Sequence, residues 1–146
     1  MELPTQNFQN HKRYYTLFHF IAVPLLALYA LYAIYALVRA PSLATGAALV
    51  LAAGVLATLF GSRIMVASVQ NRIIRLEMSM RLQRVLGAAA AAEAIARVPL
   101  RQIIALRFAS DVELPGLVAR VLSNELSTGV AVKQAIREWQ PDFLRA

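Results

Sequence analysis

Apolar residues run almost unbroken over residues 14–38 and again over residues 43–62, with only Arg39-Ala40-Pro41-Ser42 between them. Neither stretch contains Asp, Glu, Lys or Arg. A helix needs about 20 such residues to cross roughly 30 Å of hydrocarbon, so the pattern predicts two membrane spans. The short connector makes them antiparallel neighbours. After Ser62 the run becomes a stripe: Val66, Val69, Ile73, Leu76 and Met80 recur at alternating intervals of four and three, with Arg72, Arg75 and Arg81 off the seam. This is a helical period, and no Gly or Pro interrupts it before Gly87. The second span is therefore expected to continue out of the membrane as one long helix ending near Leu86. Its stripe has three candidate partners: the soluble domain of the same chain, a second copy in a short coiled coil, or the membrane surface. Contact within the chain is the default expectation, because fewer than three clean heptads are present.

The remaining residues read as short helices. Residues 88–96 are rich in Ala, follow Gly87 and end before Pro99, which opens a short helix through Phe108. Ser110-Asp111-Val112-Glu113 matches a capping box and predicts a helix to about Glu125, with Leu114, Leu117, Val118, Val121 and Leu122 on one face. Ser127 or Thr128 caps a final helix carrying Val132, Ile136 and Trp139, which Pro141 stops. Phe108, Trp139 and Phe143 are the expected core anchors. The fold expected is an all-α membrane protein: an antiparallel two-helix transmembrane hairpin, its second helix extended into the cytoplasm, and a small C-terminal helical domain. Its segments are 1–13 (N-terminal, cytoplasmic), 14–38 and 43–62 (spans), 63–86 (juxtamembrane amphipathic helix) and 87–146 (cytoplasmic helical domain).

The two spans differ in ways that suggest what each touches. Large residues fill the first, Pro24 interrupts it, and tyrosines gather at its start (Tyr14, Tyr15) and towards the connector (Tyr29, Tyr32, Tyr35), as aromatic belts do at headgroup level. It is too long for the apolar region of a signal peptide, and Pro41 follows the small-residue site, so it reads as a retained span. The second is dominated by Ala and Gly. Ala47, Gly54, Gly61 and Ser68 recur every seven residues, a small-residue face of the kind that packs helix on helix in membranes. The first span is the simplest partner for that face, and a second copy the alternative.

The net charge of +7 is placed beside the apolar stretches. Lys12, Arg13, Arg63, Arg72 and Arg75 flank the spans, against Arg39 alone in the connector, which predicts both termini in the cytoplasm and contact with anionic headgroups. Basic and acidic residues are nearly balanced in the last sixty positions, so no nucleic-acid face is expected. The absence of Cys excludes disulfides, thiolate metal sites and Cys nucleophiles. His11, Tyr15 and His19 are spaced four apart and share a helix face, the sequence's one suggestion of a metal, haem or proton-relay site. No carboxylate or further His lies within the spans to complete a ligand set, so no metal or cofactor is expected and His19 reads as an interfacial residue.

Three segments carry a resemblance: Gln6-Asn7-Phe8-Gln9-Asn10-His11, Leu106-Arg107-Phe108-Ala109-Ser110-Asp111 and Trp139-Gln140-Pro141-Asp142. Together they resemble a family of small two-span bacterial membrane proteins of unknown function. The resemblance runs over nearly the whole chain and implies a hairpin in the bacterial inner membrane; it implies no activity. Gln6, Asn7, Asn10 and His11 concentrate amides and an imidazole before the first span, either to contact headgroups or a partner, or to cap a helix and dock on the soluble domain, which is the favoured reading. With Trp139 and Asp142 they are the candidate interaction residues. The functional expectation is a non-enzymatic anchor presenting a cytoplasmic helical domain to a protein partner or to a second copy. The competing expectation is a small subunit of a membrane enzyme or redox complex using His19 or His11.

Overall fold

The computed structural model describes residues 6–10 and 14–142, and among them it is helical, without strands. Two units are formed, one of residues 14–67 and one of residues 68–142 with the N-terminal segment 6–10. The helices are α1 (Val23–Arg39), preceded by a π-helical stretch Leu17–Ala22, then α2 (Leu43–Leu86), α3 (Ala88–Arg97), α4 (Leu100–Leu106), α5 (Leu114–Leu122) and α6 (Gly129–Ala135). Both the helix Leu17–Arg39 and α2 are long and apolar enough to cross a membrane.

Pro24 explains the π-helical opening of the first unit. Proline has no amide hydrogen and its ring crowds the carbonyl four residues back; the wider turn absorbs this, with Val23 N donating to the Phe18 carbonyl. Ser42 and Thr45 start α2 reciprocally: Thr45 N donates to Ser42 Oγ at 3.2 Å and Ser42 N to Thr45 Oγ1 at 2.9 Å. Inside the apolar run, Thr58 Oγ1 donates to the Gly54 carbonyl and Ser62 Oγ to the Leu59 carbonyl, so neither hydroxyl carries an unmet donor into an apolar environment. Large side chains are outward: Leu25, Leu28, Leu31, Val50 and Leu51 are exposed, whereas Ala33 and Ala52 are the buried side chains. A Cβ added at Gly54 or Gly61 meets nothing within 4 Å, and Ala47 is exposed. Among the described residues, the small-residue face expected to pack on the first span therefore has open space at Gly54 and Gly61.

Gly87, at φ 81°, separates α2 from α3 in a conformation that L side chains avoid. The second unit has one core, which joins Phe108 to Ile74, Met78 and Leu82 of α2, Ala91 and Ala94 of α3, Ile103, Ala105 and Leu106 of α4, Leu114, Leu117, Val118 and Val121 of α5, and Val132 of α6. Helices α4 and α6 approach closely, and only glycine fits at 129, since a Cβ there would stand 2.8 Å from the Arg101 carbonyl oxygen. Thr128 caps α6 by accepting from Ala131 N at 3.1 Å, as expected. Asn124, at φ 63°, closes α5 in the left-handed conformation that Asn tolerates.

Three expectations are corrected. The α2 side chains facing the core are Ile74, Met78 and Leu82, not the stripe; Val69, Leu76 and Met80 point the opposite way, Ile73 stands at the edge between the two faces, and all four are 50–61% exposed. Both faces are apolar, and periodicity alone does not choose between them. The Ser110 capping box is half made: Ser110 Oγ accepts from Glu113 N at 3.2 Å, while the Glu113 carboxylate is taken by the backbone amides of Arg137 and Glu138, and the helix starts at Leu114. The final helix ends at Ala135, so Ile136 and Trp139 lie beyond it. Phe143, His11, Lys12 and Arg13 fall outside the described residues.

Candidate functional site

The site is built on the segments that follow α4 and α6. After α4 the chain runs through residues 107–113, and after α6 the extended residues 136–142 come back beside it. Ala109 and Trp139 form an antiparallel bridge, and Gln140 N donates to the Phe108 carbonyl at 2.7 Å. Trp139, half-buried, lies against the fully buried Phe108 with ring centroids 5.0 Å apart. Trp139 therefore packs on the core as expected, but from an extended strand-like segment.

Arg81, on α2, fastens both segments. Its Nε donates to Asp111 Oδ1 at 2.6 Å, Nη1 to the Arg107 carbonyl at 3.1 Å, and Nη2 to the Ala109 carbonyl at 2.5 Å and to Gln140 Oε1 at 3.1 Å. The planar guanidinium suits this fan of acceptors. Arg84 adds a second contact to Asp111 at 2.9 Å. The Arg81 hydrogen bond, then the Arg81 and Arg84 charges, hold the Asp111 carboxyl below its ordinary value against the opposing effect of desolvation.

A second ion pair extends the cluster. Arg107 Nε stands 2.9 Å from Asp142 Oδ2, with its guanidinium 4.3 Å from the Phe108 ring centroid. Asp142 N donates to Gln6 Oε1 at 2.8 Å, which brings the N-terminal segment to the same place. Asn7 Oδ1 accepts from Gln9 N and Asn10 N, and Asn10 Oδ1 from Asn7 N, so these amides brace the turn that carries Gln6. Beside the ion pairs is a cavity of about 280 Å³ with an apolar wall of Ile73, Ile74 and Met78 and a polar edge of Gln70, Glu77, Arg81, Arg107 and Asp142. The Gln70 Oε1 atom is buried there without a hydrogen-bond partner.

Chemically this is a clasp. Asp111 and Asp142 are tied to arginines as carboxylates, and guanidinium groups neither accept protons nor attack at neutral pH. Among the described residues no three His, Asp or Glu side chains are arranged to hold a metal. His19 lies elsewhere, at the start of the first helix, where its Nδ1 stands 3.1 Å from both the amide nitrogen and the carbonyl oxygen of Tyr15 and its ring makes edge-on contacts with Tyr14 and Phe18. Arg63 lies 6.0 Å from the Phe18 ring centroid, Arg72 is exposed, and Arg75 reaches the Ile95 carbonyl at 3.5 Å. Sequence reasoning missed Arg81 as the hub. Its one signal was an arginine on the core-facing side of an amphipathic helix, visible only once the correct face is known.

The clasp joins all three segments that carry the family resemblance: Gln6, the stretch from Arg107 to Asp111, and Trp139 to Asp142. The chain belongs to the family of unknown function DUF6526, whose model matches residues 1–146. Neither the curated proteins nor the solved structures contain a match.

Proposed function

We propose that this protein is a non-enzymatic integral membrane protein of the bacterial inner membrane, in which an antiparallel hairpin anchors a cytoplasmic helical unit that works by protein contact. The observation that carries the reading is the second apolar face of α2. A helix that already buries Ile74, Met78 and Leu82 also exposes Val69, Leu76 and Met80 on its far side and Ile73 at the edge between, an apolar face of the kind that marks an interaction surface.

Membrane anchoring is supported by the exposure of the large residues along Leu17–Arg39 and the apolar part of α2, and by the internally satisfied hydroxyls there. The hydrogen bond from Asp142 N to Gln6 Oε1 supports placing the N-terminal segment and the helical unit on one side. Lys12, Arg13 and Arg63 then lie at the level of the anionic headgroups, and Arg72 and Arg75, further along α2, in the water just beyond them. The ion pairs of Asp111 and Asp142 favour a structural over an acid–base role for these two carboxylates, and His11, which the redox reading would also use, lies outside the described residues.

A photo-crosslinking amino acid in place of Leu76, in the full chain in its native membrane, tests the contact. Irradiation is expected to yield a protein adduct, and the same group in place of Glu93 on α3 much less. Equal yields at the two positions, or no adduct at either, contradict the reading.

A further inference from the structure

Resting on that reading, we propose that the partner of the exposed α2 face is a second copy of this chain, packed as a parallel, in-register two-stranded coil over residues 69–80. The spacing assigns Ile73 and Met80 to one core position of the heptad and Val69 and Leu76 to the other. A β-branched residue at the first and Leu at the second, as at Ile73 and Leu76, is the combination that favours parallel dimers.

The charges beside the seam fit the same geometry. Arg72 stands on one edge and Glu77 on the other, five residues later, which is the offset at which edge residues of two parallel strands meet. Each Arg72 therefore faces Glu77 of the second copy, and twofold symmetry repeats the pair on both sides. Arg72 and Glu77 are exposed, and among the described residues neither makes an ion pair. An anionic membrane surface is a poorer occupant, because Glu77 borders the seam where a membrane-binding helix carries basic residues on both edges.

Parallel pairing also follows from anchoring. Two copies inserted in the same sense in one membrane are related by an axis along the membrane normal, so their α2 helices run the same way. Fewer than two heptads would hold a dimer weakly in solution; confinement in the bilayer raises the effective concentration.

The test uses the full chain in native membranes and introduces thiols into a sequence that has none. On mild oxidation Leu76→Cys is expected to form a disulfide-linked dimer, whereas Arg75→Cys, on another side of the helix, stays monomeric. Adding Arg72→Glu to Leu76→Cys sets carboxylates against each other and is expected to lower the cross-linked fraction severalfold, and combining it with Glu77→Arg restores it. Equal cross-linking at positions 75 and 76 overturns the proposal, as does a charge exchange that fails to restore the dimer. If the photo-adduct at Leu76 contains a different protein and the thiols do not couple, the second-copy inference fails while the general contact reading stands. Loss of every adduct removes both.

Discussion

Arg81→Ala is expected to destabilise the helical unit by about 3 kcal/mol and to free residues 136–142 from residues 107–111. The side chain is 15% exposed and serves one carboxylate, two backbone carbonyls and the Gln140 amide. Its loss leaves the Ala109 and Arg107 carbonyls without that donor and Asp111 with only Arg84. Because Asp111 is 44% exposed, water compensates part of the lost ion pair, and the expected cost lies at the lower end of the range for buried pairs. Arg81→Lys should not rescue, since one ammonium group cannot reach four diverging acceptors. The pH dependence carries the same signature. The folded-state carboxyl of Asp111 is lowered, so its contribution is full above the ordinary value of 3.8 and is lost as pH falls below it. Thermal unfolding of the purified chain between pH 7 and pH 3 should show this acid loss in the native sequence and a smaller one in Arg81→Ala.

Phe108→Ala is expected to cost about 3–5 kcal/mol, a large share of the stability of so small a unit. Phe108 is 1% exposed, is among the largest fully buried side chains of the core, and supports Trp139. Removing it opens a cavity and unseats the segment whose Gln140 amide bonds the Phe108 carbonyl. Trp139→Ala should cost less, because half-buried Trp139 has less contact to lose. Limited proteolysis should therefore cut residues 136–142 fastest in Phe108→Ala, with Trp139→Ala intermediate. A reversed order would place the anchor in Trp139.

The elements with strong local signals were readable in the sequence. The uninterrupted run from Leu43 to Leu86, the stop at Gly87 and the Thr128 cap all stand where local chemistry put them. The orientation of α2 was not readable, because Val69, Ile73, Leu76 and Met80 form as good a stripe as Ile74, Met78 and Leu82, and only tertiary packing selects the buried one. The end of α6 was missed for a related reason. Ile136 and Trp139 continue a helical period, yet the pairing of Trp139 with Ala109 and the demand of the Glu113 carboxylate for the amides of Arg137 and Glu138 favour an extended chain. Such long-range bonds leave no local trace. The segments around Gln6, Phe108 and Trp139 were singled out by resemblance; their meeting at the linked contacts of Arg81, Arg107 and Asp142 gives that resemblance a physical basis.

Cysteine accessibility in intact cells tests the central claim, a hairpin with its helical unit in the cytoplasm, most directly. Ala40→Cys in the connector is expected to react with a membrane-impermeant thiol reagent, whereas Asn10→Cys and Gln140→Cys react only after the cells are permeabilised. Labelling of Asn10→Cys or Gln140→Cys in intact cells, or protection of Ala40→Cys alone, would contradict it.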